Sequence, residues 1–176
     1  GGVTGNPALP TGWMLVGGYL IGPGANLDGV TLNDGTFNFA PSTGSITGYT
    51  GAGGAVTIPA SIGGVPVTVI GDAAFSGCSS LTSLTIPDSV VSIGQGALYG
   101  SSSLTAITVD PSNASYSSSD GVLFNENQTT LIHCPSGKTG IYSIPDSVNS
   151  IGDQAFEGCS RLTSVTIGSG VTSIEQ

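Results

Sequence analysis

Positive charge is nearly absent from this 176-residue sequence. Lys138 and Arg161 are its two basic residues and face eleven acidic ones, so the formal net charge is −9. A protein that binds nucleic acid neutralises phosphates with clustered lysine and arginine, and electrostatic attachment to anionic lipid needs the same clusters. The sequence therefore predicts no nucleic-acid partner and no polybasic contact with a membrane.

Long apolar runs are also missing. No stretch reaches the roughly 18 consecutive apolar residues that a transmembrane helix requires, so the sequence predicts no membrane span. No secretory signal is recognisable either. The chain begins with Gly1 and Gly2 and stops at 174–176 within a repeat, which we expect of a processed or trimmed chain.

Cysteine is scarce, and its spacing matches no zinc site. The three cysteines are an odd number and include no CxxC pair. Cys78 and Cys159 occupy equivalent positions of a repeat but lie several coils apart, which is too far for a disulfide. We expect both to be buried packing residues, and the sequence assigns no partner to Cys134.

Residues for catalysis are equally rare, so the sequence predicts neither an enzyme nor a bound cofactor or metal. His133 is the one histidine, and we expect it to have a structural or surface role. No GxSxG motif frames a serine. The stretch 136–139 (SGKT) ends like a phosphate-binding loop, but Ile132 stands where that motif requires glycine.

The acidic residues fall mostly at turns of the repeat. Asp72 and Asp153 align with one another, and we expect such aspartates to bond their own backbone. A calcium site near Asp110, Asn113 and Asp120 is a weaker alternative, because no calcium-loop pattern accompanies these residues.

A repeat dominates what the sequence does contain. Residues 70–86, 93–109 and 151–167 align with one another, the first two at an offset of 23 and the last two at 58, which is 23 plus 35. Each copy has a Leu-x-x-Leu-x-Ile core, whose last two apolar residues alternate as in a strand with one buried face. One unit cannot bury this face alone, but stacked units share a continuous core. A turn of helix is predicted for the Ala-Phe-x-Gly-Cys segment, with glycine ending it.

The pattern IPDSV..IGD.AF.GCS.LTSVTI resembles the BspA-type, or Treponema pallidum-type, leucine-rich repeat, over 56–176. The resemblance implies a right-handed curved solenoid with a parallel sheet on its concave side, in a secreted or cell-surface protein that adheres to other proteins. The predicted fold class is therefore a mainly β leucine-rich-repeat solenoid with a 23-residue period, short parallel strands and helical turns.

One unit, 110–142, is enlarged. Its apolar runs 121–124 and 130–133 flank a polar turn and predict a β-hairpin that protrudes from the solenoid. Asn113 and Asn127 begin glycosylation sequons, which we expect to be exposed in this insert.

The N-terminal region, 1–55, differs from the repeats. Leu27, Leu32 and Phe37 recur every five residues and are compatible with degenerate pentapeptide repeats. The alternative is a glycine-rich β cap that covers the first coil of a solenoid. Residues 45–49 and 55–58 are predicted strands leading into the first repeat.

A hydroxyl-rich concave face is the candidate binding surface. The sequence holds 25 Ser and 19 Thr, and several project outward if the strand leucines and isoleucines point inward. The candidate residues are Thr82, Ser83, Thr85, Thr105, Thr108, Thr163, Ser164 and Thr166.

The face lacks the tryptophan, tyrosine and arginine anchors of tight interfaces, which favours weak multivalent contacts. The expected partner is a protein ligand at an extracellular or cell-surface location. The alternative is neighbouring copies of the chain in a homo-oligomer, surface layer or filament. An ice-binding surface is a third hypothesis, weakened because a curved sheet fits flat ice badly.

Overall fold

The computed structural model describes residues 14–16, 19–22, 31–33 and 35–175, and these form a stack of β-strands and turns. The N-terminal region contributes β1 (Met14–Val16), β2 (Tyr19–Ile21), β3 (Leu32–Asn33), β4 (Phe37–Ala40) and β5 (Ser45–Tyr49). The first coils contain β6 (Gly54–Thr57), β7 (Ser61–Ile62), β8 (Val65–Pro66), β9 (Val69–Ile70), β10 (Leu81–Ile86), β11 (Ser92–Ile93) and β12 (Ala106–Val109). The remainder contains β13 (Tyr116–Ser119), β14 (Val122–Asn125), β15 (Thr130–His133), β16 (Gly140–Ser143), β17 (Ser150–Ile151), β18 (Leu162–Thr166) and β19 (Ser173–Ile174).

Two ladders of parallel strands run along the stack. The longer strands form the sheet β6-β10-β12 and the pair β16-β18, and the outward surface of both is called here the long-strand face. The two-residue strands form a second ladder in which β9 lies between β5 and β11, and β17 lies between β15 and β19. Leu84 pairs with Ile107 and Ile70 with Ile93, each 23 residues apart. In the regular coils, the strands of both ladders therefore pair at the 23-residue period of the sequence.

The core consists of the inward residues of both ladders, stacked coil upon coil. Leu81, Leu84 and Ile86 of β10 are fully buried, and Leu104 and Ile107 bury the same positions one coil later. Alternation along a strand sends every second side chain inward. Each coil thus supplies a few apolar side chains, and the stack makes them into two core clusters, one from Phe37 to Val109 with Leu123 and one from Val122 to Ala155.

The segment predicted as a turn of helix is a series of reverse turns, and no helix occurs among the described residues. Alternate N–H groups here belong to the next coil, since Phe75 donates to Ala97 O and Gly77 to Tyr99 O, both at 2.7 Å. Ala73 also has a positive φ of 52°, which a right-handed helix does not allow. The helical prediction was wrong because the neighbouring coil takes the N–H groups that a helix would use.

Antiparallel strands join the N-terminal region to the repeats. Strand β4 pairs with β3 and β5, and β5 then pairs in parallel with β9. Phe37, Tyr49 and Phe75 form a ring cluster with centroids 5.3–6.3 Å apart, so residues before the repeats seal the first coil. Of the three residues of the five-residue periodicity, Leu32 lies in β3 and Phe37 in β4, which pair antiparallel. Leu27 lies outside the described residues.

The enlarged unit contains the expected hairpin, since β14 pairs antiparallel with β15, but a third strand, β13, pairs with β14. The hairpin does not protrude. Val122, Leu123 and Phe124 are all fully buried, as is Leu131 on the opposite strand. Because β14 carries consecutive apolar residues on both faces, it was bound to lie within the core.

Asn113 holds the start of the insert in place. Its Nδ2 group donates to Pro87 O at 2.8 Å and Val90 O at 2.9 Å, and its Oδ1 accepts from the N–H groups of Ser115 and Tyr116. Its amide group therefore joins the insert to the preceding coil. Contrary to the expectation of an exposed sequon, Asn113 is only 5% exposed, whereas Asn127 is exposed.

We expect Asn113→Ala to lower the free energy of unfolding by about 3 kcal/mol, because it leaves buried backbone donors and acceptors without partners. Asn127→Ala is the matched control in the same insert and should change stability by less than about 0.5 kcal/mol. Chemical denaturation followed by circular dichroism measures both. Equal effects of the two substitutions would contradict the role assigned to Asn113.

Candidate functional site

The long-strand face presents two columns of outward side chains. Register aligns Ala55, Ser83 and Ala106 in one column of the sheet β6-β10-β12 and Thr57, Thr85 and Thr108 in the other. In the pair β16-β18, Ile141 lies beside Ser164 and Ser143 beside Thr166. The outward surface of these strands is therefore small, uncharged and rich in hydroxyl groups.

The candidate residues fall into two groups rather than one continuous row. Thr82, Ser83, Thr85, Thr105 and Thr108 lie on or beside β10 and β12, whereas Thr163, Ser164 and Thr166 lie on β18. Ser83 and Thr85 are half-buried and the other six are exposed. The Thr105 hydroxyl already donates to Thr82 O at 3.1 Å, so it stabilises the stack.

The turn at Asp120 and Gly121 lies between these two groups. Ile107 N–H donates to Gly121 O at 2.9 Å, so the turn contacts β12. Lys138, which precedes β16, places its Nζ 3.0 Å from Asp120 Oδ2 and 5.2 Å from the centre of the Tyr142 ring. The insert thus contacts both parts of the long-strand face, and its charged pair of Asp120 and Lys138 lies between them.

Ile141 is the apolar exception on this face. It is 73% exposed, in the column otherwise occupied by alanine and serine. Its strand neighbour Tyr142 is 2% exposed and points into the core, so the alternation of β16 fixes Ile141 outward. The sequence did not predict this position, because the other copies of the strand have alanine or serine there.

A groove of about 240 Å³ opens on the turn side of the stack. Its walls are the turns 94–99 and 153–157, and its floor includes Leu123, Ile132 and His133. From Leu131 to Gly140 the chain advances nine residues, whereas it advances eleven from Ile151 to Leu162, which pair with them. The shorter turn of the enlarged unit leaves the space between its neighbours.

His133 lies at this groove without a nucleophile or an orienting carboxylate bonded to it. Its Nε2 is buried and makes no hydrogen bond, and burial lowers the pKa of the imidazole to about 4. A general base near neutral pH has its pKa close to the working pH. The described geometry therefore gives His133 neither of the partners that a Ser-His-Asp triad gives its histidine.

Asp110 Oδ1 accepts from Ser112 N–H at 2.9 Å, the local backbone bond expected of an aspartate at a turn. Two other aspartates serve the stack in a way that the sequence did not predict. Asp72 Oδ1 accepts from Gln95 N–H at 2.9 Å, and Asp146 Oδ1 accepts from Ser169 N–H at 2.9 Å. Both bonds cross to the next coil rather than returning to the local backbone. No group of three metal-ligating side chains occurs in the described part of the chain, and the Asn113 side chain of the calcium hypothesis is occupied by protein partners.

Two of the three cysteines lie next to each other. Cys159 Sγ is 3.2 Å from Cys134 O, one coil earlier, and Cys134 is fully buried. Cys78 and Cys159, expected to be buried, are half-buried, and all three thiols are free. The sequence missed this pair because Cys134 does not stand at the repeat position that Cys78 and Cys159 share, so the alignment of the copies gives it no partner.

Parallel ladders with a 23-residue register and stacked leucine positions define a leucine-rich-repeat solenoid. The model of the BspA type leucine rich repeat region matches residues 55–143 and 138–176, with six copies. The chain therefore belongs to the BspA-type leucine-rich-repeat family.

Solved bacterial structures are similar to this chain. A leucine-rich repeat protein from Eubacterium ventriosum is 34% identical over 68% of this chain and 31% of its own, with a TM-score of 0.58. The pneumococcal vaccine antigen PcpA is 31% identical over 61% of this chain and 27% of its own, with a TM-score of 0.56. A leucine rich cell surface protein from Faecalibacterium prausnitzii is 27% identical over 84% of this chain and 45% of its own, with a TM-score of 0.52.

The chain thus spans about a third or less of the first two structures. No curated protein matches it in sequence. Within the described residues, no helix has the length and apolar character needed to cross a membrane.

We expect the stability of the protein to fall as the pH drops from about 6.5 to about 4. An unfolded chain protonates its histidine near 6.5, whereas folded His133 has a pKa of about 4, so the unfolded state binds more protons between these values. His133→Gln should remove up to about 3 kcal/mol of this pH dependence.

The measurement is denaturant unfolding of both proteins across this pH range. Asp153 and Glu157 line the same groove, but they are present in both proteins, so the difference between the two curves isolates His133. Parallel curves would mean that the imidazole titrates normally in the folded chain.

Proposed function

We propose that the chain is a non-enzymatic protein-binding module of an extracellular or cell-surface protein, and that its ligand contacts the long-strand face. The observation that carries the proposal is the set of mostly small, neutral, outward side chains on two stretches of ladder, which lie on either side of the Asp120 and Lys138 pair. Each stretch allows close approach without desolvating a charge on its outward columns. One similar structure is that of a leucine rich cell surface protein, which supports the location.

Weak contacts repeated along the strands fit this surface better than one tight contact. Its hydroxyl groups donate and accept single hydrogen bonds, each contributing about 0.5–1.5 kcal/mol after exchange with water. Ile141 adds the one large apolar side chain on the outward columns, and its full burial would contribute about 1.5–3 kcal/mol. We therefore place Ile141 at the centre of the contact and the hydroxyl columns around it.

Low surface charge is consistent with the proposed location and contact. Charged residues make up 7% of the sequence, against roughly 25% in soluble domains, and solubility depends on hydroxyl and amide groups. Lys138, one of the two basic residues beside the long-strand face, is paired with Asp120. Binding should therefore depend only weakly on salt.

The triple variant Thr85→Lys, Thr108→Lys and Thr166→Lys should lose binding to the long-strand face, since each lysine adds bulk and a charge that the ligand must desolvate. Ile141→Ser should weaken binding by about tenfold, the equivalent of about 1.4 kcal/mol. Surface plasmon resonance against a panel of immobilised extracellular-matrix glycoproteins provides the measurement.

The matched control carries three added lysines on the second ladder, which contains β5, β11 and β19. Its substitutions are Thr47→Lys, Ser92→Lys and Ser173→Lys, all at exposed positions. It should retain the binding of the unmodified chain. If the control and the long-strand variant bind alike, the ligand contacts another surface.

Self-association is the second candidate function. Core-type side chains of the last described coil are exposed, with Val165 at 40%, Ile167 at 54% and Ile174 at 62%. They line an apolar hollow of about 410 Å³ together with Phe156 and Leu162. A coil stacked on this surface, from a longer form of the chain or from a second copy, would bury them.

If self-association operates, light scattering should show mass increasing with concentration, and Ile167→Asp should abolish the increase. Ile141→Asp, on the long-strand face, serves as the control of equal charge and should leave the mass unchanged. A monomer at all concentrations would reject self-association and leave the ligand-binding proposal untouched.

A further inference from the structure

The cysteine pair lies at a defined joint of the stack. Cys134 N–H donates to Ala155 O at 2.7 Å, as Phe75 N–H donates to Ala97 O in the regular repeat. Ala97 and Ala155 are equivalent, 58 residues apart, so Cys134 stands in the enlarged unit where Phe75 stands in a regular one. Its side chain faces the core and is fully buried.

The partner position is equally well defined. Cys159 is 58 residues after Ser101, at the same position of the repeat. Ser101 Oγ donates to Phe75 O at 2.8 Å, and Cys159 Sγ lies 3.2 Å from Cys134 O. The pair of Phe75 and Ser101 in the regular repeat has thus become two cysteines where the enlarged unit meets the next one.

The two thiols are close enough to share a side-chain hydrogen bond. Cys159 Sγ already lies 3.2 Å from Cys134 O in the coil before it, and disulfides span Cα separations of about 4.4–6.8 Å. A bond between the sulfurs therefore needs local side-chain rotation but no separation of the coils.

The environments of the two thiols differ in a way that fixes an order of reaction. The hydrogen bond from Cys134 lowers the pKa of the half-buried Cys159, whereas that hydrogen bond and burial raise the pKa of Cys134. Because Cys134 is fully buried and Cys159 is half-buried, a reagent from solvent reaches Cys159 first.

We propose that Cys134 and Cys159 are a covalent cross-linking site, which forms an inter-coil disulfide when the chain meets a small-molecule disulfide oxidant such as oxidised glutathione. The Cys159 thiolate attacks the oxidant, forming a mixed disulfide and releasing one glutathione thiolate. Cys134 then attacks Cys159 Sγ and displaces the second glutathione. The two cysteine protons end on the two released glutathione molecules, and the two electrons lost by the cysteines reduce the oxidant's disulfide.

This cross-link is independent of the ligand-binding proposal. It requires only that the folded chain meets an oxidant, and extracellular surroundings are where disulfides persist. The bond would fasten the enlarged unit to the regular coil after it, at the place where the hydrogen-bonding pattern of the stack changes.

The test exposes the folded chain to oxidised glutathione, blocks the remaining thiols with iodoacetamide and determines the intact mass and the linked peptides. The expected product has lost two hydrogen atoms, joins the peptides of Cys134 and Cys159, and is alkylated only at Cys78. Alkylation at all three cysteines, or glutathione retained on Cys159 without displacement by Cys134, overturns the proposal.

Substitutions complete the test. Cys159→Ser should abolish the cross-link without unfolding the chain, because Ser101 shows that serine fulfils the same backbone contact. Cys78→Ser is the matched control, at the same repeat position but without a thiol partner in the preceding coil, and should form the cross-link normally.

Closing a loop of this size should raise the melting temperature of the unsubstituted chain by roughly 5–10 °C on oxidation. Cys159→Ser should show no such rise. A rise of the same size in Cys159→Ser, or none in Cys78→Ser, contradicts the assignment of the cross-link to this pair.

Discussion

The hydrogen bonds between successive coils are the constraint on which the rest of this structure depends. A two-residue strand or a reverse turn has too few bonds of its own to persist, and in the regular coils its N–H groups find acceptors 22 to 24 residues further along or back. The same register stacks leucine on leucine and isoleucine on isoleucine. Because both requirements share one period, a change of length at one coil must be compensated before the next coil can stack.

The enlarged unit shows how that compensation is made. Strand β14 fills its own space with buried apolar side chains on both faces, so the extra residues bring their own core. Asn113 ties the beginning of the insert to Pro87 and Val90, and Tyr116 accepts a hydrogen bond from Ile93 N–H. The turn after β15 is then two residues shorter than in a regular unit, and the regular register resumes at β17. The groove beside His133 is a by-product of that shortening.

Sequence reasoning reached the period, the fold class and the hairpin because each depends on residues that repeat or alternate. Leu84 and Ile107 indicate their pairing by identical surroundings at a fixed offset. Ile141 could not be found in this way, since the regular copies have serine or alanine in its place. The contact between Cys134 and Cys159 depends on a two-residue shortening that becomes visible only once both ends of the turn are in register. The helical turn was expected from local composition, whereas inter-coil bonding decided its conformation.

Where the chain places its few reactive and charged groups follows from the same constraint. Regular coils hold together through backbone bonds in the same register, and Asp72, Ser101 and Thr105 add side-chain bonds between them. The joint around the enlarged unit lacks that regularity, and Lys138, one of the two basic residues, lies there with its side chain 12% exposed and paired with Asp120. Two of the three cysteines, Cys134 and Cys159, contact each other at the same joint. An ion pair and a pair of thiols thus lie where the backbone ladder is interrupted, and the outward columns of the long-strand face carry no charged side chain.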